Sequence, residues 1–407
     1  MKALDEKLII LGVTGGIAAY KSGLLARALV RAGARVTVVM SEAATRFVAP
    51  LTFEALTGNP CLTDASMFEQ GAAISHVELA RKADCIVIAP ATANTIAKIS
   101  HGFADTLLTT TVLASSAPVL MVPSMHTGMW ENELTQGNLD GLPSRFTVMA
   151  PDVGVLASGD KGAGRFPDED SIVWEAAALL AGQDFEDRTV VVTGGPTREH
   201  LDPVRVFTNP STGRMGIAVA MAAQVRGARV RLVLGPTQVE PPRRITGRSM
   251  DVVRVETASE MLRAVDEALE GADALVMAAA VADERPVAPS AEKVRKGDLP
   301  SSVKLERTPD ILMSLANGLG DIVTLGFAAE TGDLEAAGRA KLEAKGLDLI
   351  FANPVGGGRG FASSVNEGIL LGRDGFSLPV GSMAKQDLAD LLLDHVAALM
   401  PGLGTDS

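Results

Sequence analysis

Hydrophobic residues along this chain fall in short runs of Val, Ile, Leu and Ala. Each run is stopped by glycine, proline or a small polar residue and followed by a longer stretch of helical periodicity. In the first half the runs occupy 8–12, 35–40 (Arg-Val-Thr-Val-Val-Met), 85–90 (Cys-Ile-Val-Ile-Ala-Pro) and 118–123 (Pro-Val-Leu-Met-Val-Pro). The second half repeats the alternation at 189–193, 229–234, 273–280, 322–327 and 348–353. It then turns to Gly-rich loops over 354–380, with short strands at 368–372 and 376–380, and closes on an amphipathic helix over about 383–399. Runs that are apolar throughout belong to strands buried on both faces, so the pattern predicts an α/β protein with doubly wound parallel sheets. Ligands of such sheets bind beyond the C-terminal strand ends. The segments there are Thr14-Gly-Gly, Ser41-Glu-Ala, Ala91-Thr-Ala-Asn and Ser124-Met-His, small and polar as a shared pocket requires.

The pattern turns polar over 181–188 and restarts at Thr189, which divides the 407 residues into domains at 1–186 and 187–407. Aromatics make up 4% of the chain against 47% hydrophobic residues, so the cores are aliphatic. The longest apolar runs are interrupted before the length of a membrane span, and the N-terminus enters a strand without a signal-peptide pattern. Cys61 and Cys85 make neither a disulfide framework nor a metal cluster. These features together lead to the expectation of a cytoplasmic protein with no membrane partner. The net charge of −12 and the lack of a long Lys/Arg run argue against nucleic acid. Any anionic ligand must be held by backbone N–H groups and a few placed cations.

Two stretches carry that chemistry. Leu8-Ile-Ile-Leu-Gly-Val-Thr-Gly-Gly-Ile-Ala-Ala-Tyr20 and Thr189-Val-Val-Val-Thr-Gly-Gly-Pro-Thr-Arg-Glu199 each read as a strand, a Gly-rich turn and a helix. Each is expected to build an anion site from close backbone approach and helix N-terminal amides. The first lacks G-x-G-x-x-G spacing, and Ser41 stands where an acidic residue would hold a ribose, so a mononucleotide fits better than NAD. The second lacks a Walker lysine, which argues against a P-loop NTPase.

Further segments sharpen the first half: Ile74-Ser-His-Val-Glu-Leu-Ala80, Pro90-Ala-Thr-Ala-Asn-Thr-Ile-Ala97 and Pro123-Ser-Met-His-Thr-Gly-Met-Trp130. With the turn at 12–19 they resemble the flavin-dependent cysteine decarboxylases, over roughly 7–175. The resemblance implies a flavodoxin-like, FMN-binding fold, with Gly12, Thr14, Gly15, Gly16, Ser41, Ala91, Thr92, Asn94, Ser115 and Met125 at the cofactor. It implies His76 as the essential histidine, a role that suits a side chain titrating near working pH. The implied chemistry is oxidation of a cysteinyl thiol to a thioaldehyde, loss of the carboxylate, and return of hydride to give 4′-phosphopantetheine. Two positions depart from the family pattern. His126 stands where an asparagine usually binds the substrate carboxylate. In Ala157-Ser-Gly-Asp-Lys-Gly-Ala-Gly-Arg165, Ser158 stands where a cysteine usually delivers a proton. A hydroxyl is far less acidic than a thiol, so Ser158 suits orienting or relaying better than direct donation.

In the second half, Val206-Phe-Thr-Asn-Pro-Ser-Thr-Gly-Arg-Met-Gly216 opens a helix expected over 214–226. Ala278-Ala-Ala-Val-Ala-Asp283, Glu292-Lys-Val-Arg-Lys296, Thr308-Pro-Asp-Ile311, Gly326-Phe-Ala-Ala-Glu-Thr331 and the i,i+4 pair Lys341 and Lys345 follow. The set, over about 187–400, resembles the phosphopantothenate–cysteine ligases. The resemblance implies activation of the phosphopantothenate carboxylate by CTP, an acyl-cytidylate, release of pyrophosphate and attack by the cysteine amine. It makes Asn209 the residue that steadies the acyl intermediate and Lys293 a mobile-loop lysine at the phosphates. It puts Asp283, Thr308, Pro309, Asp310, Ile311, Phe327, Lys341 and Lys345 at the nucleotide. Mg²⁺ would offset the pyrophosphate charge, its protein ligands being undetermined by sequence.

As a whole the chain resembles bifunctional coenzyme A biosynthesis proteins. That implies a homo-oligomer in which decarboxylase trimers assemble further, with flavin buried between subunits, and ligase domains pair as dimers. Two other readings remain open on sequence: a ligase whose N-terminal half only binds flavin, and a non-catalytic flavoprotein.

Overall fold

The computed structural model describes residues 1–67, 76–241, 245–296, 301–356, 363 and 365–401. It separates into two compact units, Met1–Gly182 with Arg244–Gly247, and Gln183–Arg243 with Arg248–Ser407.

The first unit is a six-stranded parallel sheet. Its strands are β1 (Leu8–Val13), β2 (Arg35–Met40), β3 (Leu62–Thr63), β4 (Cys85–Ala91), β5 (Val119–Pro123) and β6 (Phe146–Val148), in the order β3-β2-β1-β4-β5-β6. The chain reverses its direction of travel between β1 and β4, which opens the crevice typical of doubly wound sheets. Ile10, Ile86, Ile88, Val119 and Met121 from neighbouring strands form one core with Leu108 and Val112 of the helix Leu107–Ala114. An antiparallel hairpin, β7 (Asp152–Val155) and β8 (Lys161–Arg165), follows the sheet. Periodicity did not reveal β3, β6 or this hairpin, because two to five residues are too few to show a period.

The second unit adds β9 (Thr189–Gly194), β10 (Arg198–His200), β11 (Val206–Thr208), β12 (Arg229–Leu234), β13 (Met250–Arg254) and β14 (Ala274–Met277). β15 (Glu284–Pro286), β16 (Leu305–Arg307), β17 (Val323–Glu330), β18 (Leu349–Pro354), β19 (Val365–Gly372) and β20 (Ser377–Ala384) complete it. Eight of these form a sheet in the order β13-β12-β9-β14-β17-β18-β19-β20. β9 lies centrally and is flanked by parallel partners, and the β18–β19 and β19–β20 pairings are antiparallel. The predicted strands at 189–193, 229–234, 322–327 and 348–353 are present within a few residues of those limits. The predicted closing helix is Lys385–Leu399.

One expectation is corrected. The Thr193-Gly-Gly-Pro turn does not run into a helix; it runs into β10, and the β10–β11 hairpin intervenes. The helix that serves this strand end is Arg214–Val225, which folds back so that Gly216 packs directly on the turn. A methyl added at Gly216 would meet Thr193 O at 2.5 Å and Gly194 Cα at 2.7 Å, both backbone atoms that cannot rotate away. Gly216→Ala is therefore expected to destabilise the second unit by about 1–3 kcal/mol. The readout is the denaturant midpoint of that unit's unfolding transition, and an unchanged midpoint would show that this contact does not set the helix position.

Candidate active sites

In the first unit the C-terminal ends of β1, β2, β4 and β5 surround a cavity of about 1150 Å³. Gly15 and Gly16 line it from the first turn, Ser41 from the end of β2, Thr92 and Asn94 from the end of β4, and Met125 and His126 from the end of β5. Ser158 reaches it from the β7–β8 hairpin. The first turn can come this close because Gly15 has no side chain: a Cβ there would lie 2.9 Å from the Ala43 carbonyl carbon. Ser41 caps the short helix Glu42–Thr45, accepting from Ala44 N–H at 3.3 Å. Thr92 caps Ala93–Ser100, which fixes Asn94 in its first turn.

Other predicted positions act behind the wall. Thr14 is buried; its hydroxyl donates to the Pro90 carbonyl (2.6 Å) and accepts from Thr92 N–H (3.0 Å), tying the β1 turn to the β4 end. Gly12 and Ala91 are strand residues. Ser115 is not on the cavity wall; it is buried with its hydroxyl donated to the Ala80 carbonyl at 3.0 Å. His76 begins the helix His76–Lys82 and is likewise absent from the cavity wall. Its motif neighbours Ile74 and Ser75 lie outside the described residues.

The two departures from the family pattern meet at one carboxylate. Asp160 accepts from the Ser158 hydroxyl at 2.9 Å and lies 3.1 Å from His126 Nε2. His126 Nδ1 accepts from Gly128 N–H at 3.2 Å, so the neutral ring carries its proton on Nε2, facing Asp160. The hydrogen bonds from His126 and then Ser158 hold the Asp160 carboxyl below its usual range. No other thiol takes the place of the missing cysteine: Cys61 and Cys85 are buried, and burial pushes both up to about 12. The sequence reading did not include the cations Lys21, Lys98 and Arg165, which also line the cavity. Lys21 lies immediately after the 12–20 stretch, and this proximity was the signal available for it.

In the second unit a cavity of about 790 Å³ opens at the C-terminal ends of β14, β17 and β18. Asn209, Asp283, Thr308, Pro309, Asp310, Ile311, Phe327, Lys341 and Lys345 all line it, brought together from five separate segments. Asn209 Nδ2 donates to the carbonyls of Val281 (3.0 Å) and Ala280 (3.3 Å), which leaves Oδ1 as the atom to offer a ligand. Thr308 is fixed by donating to the Ala282 carbonyl at 2.5 Å. Lys341 and Lys345 share one face of the helix Leu334–Lys345, paired with Glu330 (2.6 Å) and Asp310 (3.5 Å). Phe327 stacks edge-on against Phe351 at 5.7 Å.

Lys293 is not on this wall. Its neighbour Val294 is pinned instead, donating its N–H to Asp202 (3.2 Å) and accepting from Arg205 Nη1 (3.2 Å). Burial alone would raise the Asp202 carboxyl, but hydrogen bonds from three backbone N–H groups outweigh it and leave the group lowered. Residues 297–300 of the same loop lie outside the described residues. Arg214, Arg307, Asn353, Asn366 and Lys385 line the cavity without having been expected from sequence. Among the described residues no group of three His, Cys, Asp or Glu side chains could hold a metal ion, and no helix is long and apolar enough to cross a membrane.

The comparisons with known proteins agree with this two-part arrangement. Residues 2–181 match the family described as Flavoprotein, and residues 185–400 match the DNA/pantothenate metabolism flavoprotein C-terminal domain. The coenzyme A biosynthesis bifunctional protein CoaBC of Bacillus subtilis (strain 168) is 40% identical over 99% of this chain and 100% of its own length. This chain belongs to the bifunctional coenzyme A biosynthesis family. The CoaBC of Mycobacterium tuberculosis (strain ATCC 25618 / H37Rv) is 41% identical over 97% of both chains. Among solved structures, the C-terminal domain of a CoaBC is 33% identical, with a TM-score of 0.45, over 54% of this chain and 98% of that one. Family members of this kind join a decarboxylase and a ligase in one polypeptide, and the two cavities occupy one unit each.

The Asp160 geometry generates a titration prediction. His126→Ala removes the largest cause of the lowered carboxyl, so the Asp160 pKa is expected to move up toward the ordinary carboxylate range. In the unaltered chain the bond strengthens the hairpin above that ordinary range and is lost as pH falls through the lowered pKa. A carbon-detected NMR titration of the Asp160 carboxyl reads the shift, and no upward movement would show that His126 does not control it.

Proposed function

We propose that this coenzyme A biosynthesis enzyme performs two consecutive steps, one per unit. In the second unit CTP activates the carboxylate of 4′-phosphopantothenate as an acyl-cytidylate, pyrophosphate leaves, and the cysteine amine attacks the acyl carbon to form the amide. In the first unit the resulting 4′-phosphopantothenoylcysteine is decarboxylated to 4′-phosphopantetheine with FMN. The observation that carries the ligase reading is the convergence of Asn209, Asp283, Thr308, Phe327, Lys341 and Lys345 on one cavity.

In that cavity Lys341 and Lys345 present two ammonium groups one turn apart, a spacing suited to a nucleotide's polar edge or phosphates. Phe327, steadied by Phe351, offers an aromatic edge for a base. Asn209 is oriented to accept, which suits an N–H of the incoming amine beside the activated carboxyl. A Mg²⁺ ion would be held chiefly by the substrate phosphates and would offset their charge as pyrophosphate leaves.

The first cavity fits FMN by its chemistry. It combines a glycine backbone turn, three cations for a phosphate, and the amides and hydroxyls of Asn94, Thr92 and Ser41. When bound, the flavin supplies the two-electron oxidation of the substrate thiol and the return of those electrons. His126 would hold the substrate carboxylate in place of an amide by exchanging its Nε2 bond to Asp160 for one to the substrate. Ser158, its hydroxyl committed to Asp160, orients rather than donates, so reprotonation is expected to be the slow half of the cycle. His76 is read as completing the site from a neighbouring subunit of a homo-oligomer. Ile17, Tyr20 and Met129 at the cavity, and Leu51 and Leu113 elsewhere on the unit, are exposed apolar side chains that such an assembly would cover.

Purified protein is expected to be yellow with flavin absorbance. Supplied with phosphopantothenate, cysteine and CTP, it is expected to release both pyrophosphate and CO₂. Pyrophosphate without CO₂ would overturn the decarboxylase assignment, and CO₂ only from added phosphopantothenoylcysteine would overturn the ligase assignment. His76→Ala and Asn94→Ala are each expected to abolish CO₂ release, and co-assembly of the two variants to restore part of it. Failure of complementation would place His76 in the cavity of its own subunit or outside the chemistry.

A further inference from the structure

Two stretches of backbone leave the wall of the second-unit cavity and pack together away from it. β11 runs directly into Asn209 on the wall, and its hairpin with β10 closes through the turn at 201–205. β15 starts next to Asp283 and β16 ends next to Thr308, so the connection between these strands also begins and ends at wall residues. Thr308 N–H donates to the Asp283 carbonyl at 3.0 Å, which ties the two ends of that connection together. Lys293 lies within the connection. It is exposed, it is off the wall, and among the described residues its ammonium makes no hydrogen bond or ion pair.

The residues around Lys293 are held, although Lys293 is not. Ser290 N–H donates to the Leu201 carbonyl at 2.9 Å, and the 201–205 turn clamps both backbone groups of Val294. Asp202 is fully buried, and its two oxygens have separate tasks. Oδ1 accepts from the N–H groups of Val204 and Arg205, both at 2.8 Å, and so shapes the turn. Oδ2 accepts from Val294 N–H (3.2 Å) and from Arg205 Nη1 (2.7 Å), and the same Nη1 reaches the Val294 carbonyl at 3.2 Å. Oδ1 alone suffices for the turn. Oδ2 serves the residue that follows Lys293, and a buried carboxylate oxygen gives up such donors only at a cost.

We propose that Asp202 is a positioning residue for Lys293: its Oδ2 docks Val294 on the turn and holds Lys293 away from the cavity, and Lys293 meets a bound nucleotide only when that bond is given up. The proposal deepens the ligase reading and rests on it for what Lys293 would meet. A bond that must open before binding lowers apparent affinity by the fraction of chains in which it is already open, so loosening it tightens nucleotide binding.

The test uses the full chain and Asp202→Asn, which keeps the size of the side chain. The carboxamide oxygen can replace Oδ1 at the turn, while the NH2 group confronts two donors, Val294 N–H and Arg205, where Oδ2 accepted. Without nucleotide, tryptic cleavage after Arg295 and Lys296 is expected to be about two- to tenfold faster than in the unaltered chain, and in steady state the KM for CTP to fall by a similar factor with kcat retained. Val294→Pro removes the donor at the other end of the same bond and is expected to act in the same direction, which keeps the proposal testable if Asp202→Asn does not fold. In a Lys293→Gln background Asp202→Asn is expected to leave the KM for CTP unchanged, because its effect runs through Lys293. A loss that came from damage to the turn would instead raise KM or lower kcat. Either of those results, unchanged cleavage, or a fall in KM that persists without Lys293 overturns the proposal. The cleavage measurement needs no turnover: faster cleavage in a chain that never releases pyrophosphate would sink the ligase reading and leave the docking of Val294 by Asp202 in place.

Discussion

At the end of β1 the backbone of Gly15 lies against Ala43 with no room for a methyl group, and at the end of β9 the backbone lies against Gly216 in the same way. Both sites depend on this approach of main chain to main chain at the C-terminal edge of a parallel sheet. It brings peptide N–H groups and helix ends within reach of an anion in a chain whose net charge is −12. Without it the few cations would have to hold phosphates against a repelling background. The parallel order matters equally, because it gathers every loop of one edge around one crevice.

The two units solve the second part of the problem differently. In the first, cations come from helix and hairpin positions around the crevice, Lys21, Lys98 and Arg165. In the second, they come from a helix face, Lys341 and Lys345, and from two helix starts, Arg214 and Lys385. The helix-face pair is matched by carboxylates, while Arg214 has no such match among the described residues.

The decarboxylase half shows how a site can change its chemistry through its hydrogen bonds. Ser158 and His126 each depart from the family pattern, and the structure joins them through Asp160. With both cysteines buried and resistant to ionisation, the hairpin offers an oriented hydroxyl, and the end of β5 a histidine bonded at both ring nitrogens. The departures are one coupled arrangement rather than two losses.

Sequence alone determined the strand–helix alternation and nearly all long strands, because aliphatic runs buried on both faces leave an unmistakable pattern. It also determined much of the second-unit cavity wall, since Thr308–Ile311, Phe327 and the Lys341–Lys345 pair lie in motifs that are local in the chain. Local motifs gave no account of contacts made across long separations. Ser115 and Thr14 are buried and bonded to the Ala80 and Pro90 carbonyls, Lys293 is not on the second cavity's wall while its neighbour Val294 bonds Asp202, and β13 and the small hairpins carry no period. Asn366, Arg214 and Lys385 are ordinary residues in sequence. Only packing the helix Arg214–Val225 on Lys385–Leu399, with β19 beside the same cavity, turns them into a cluster, because a binding site is a property of which surfaces the fold brings face to face.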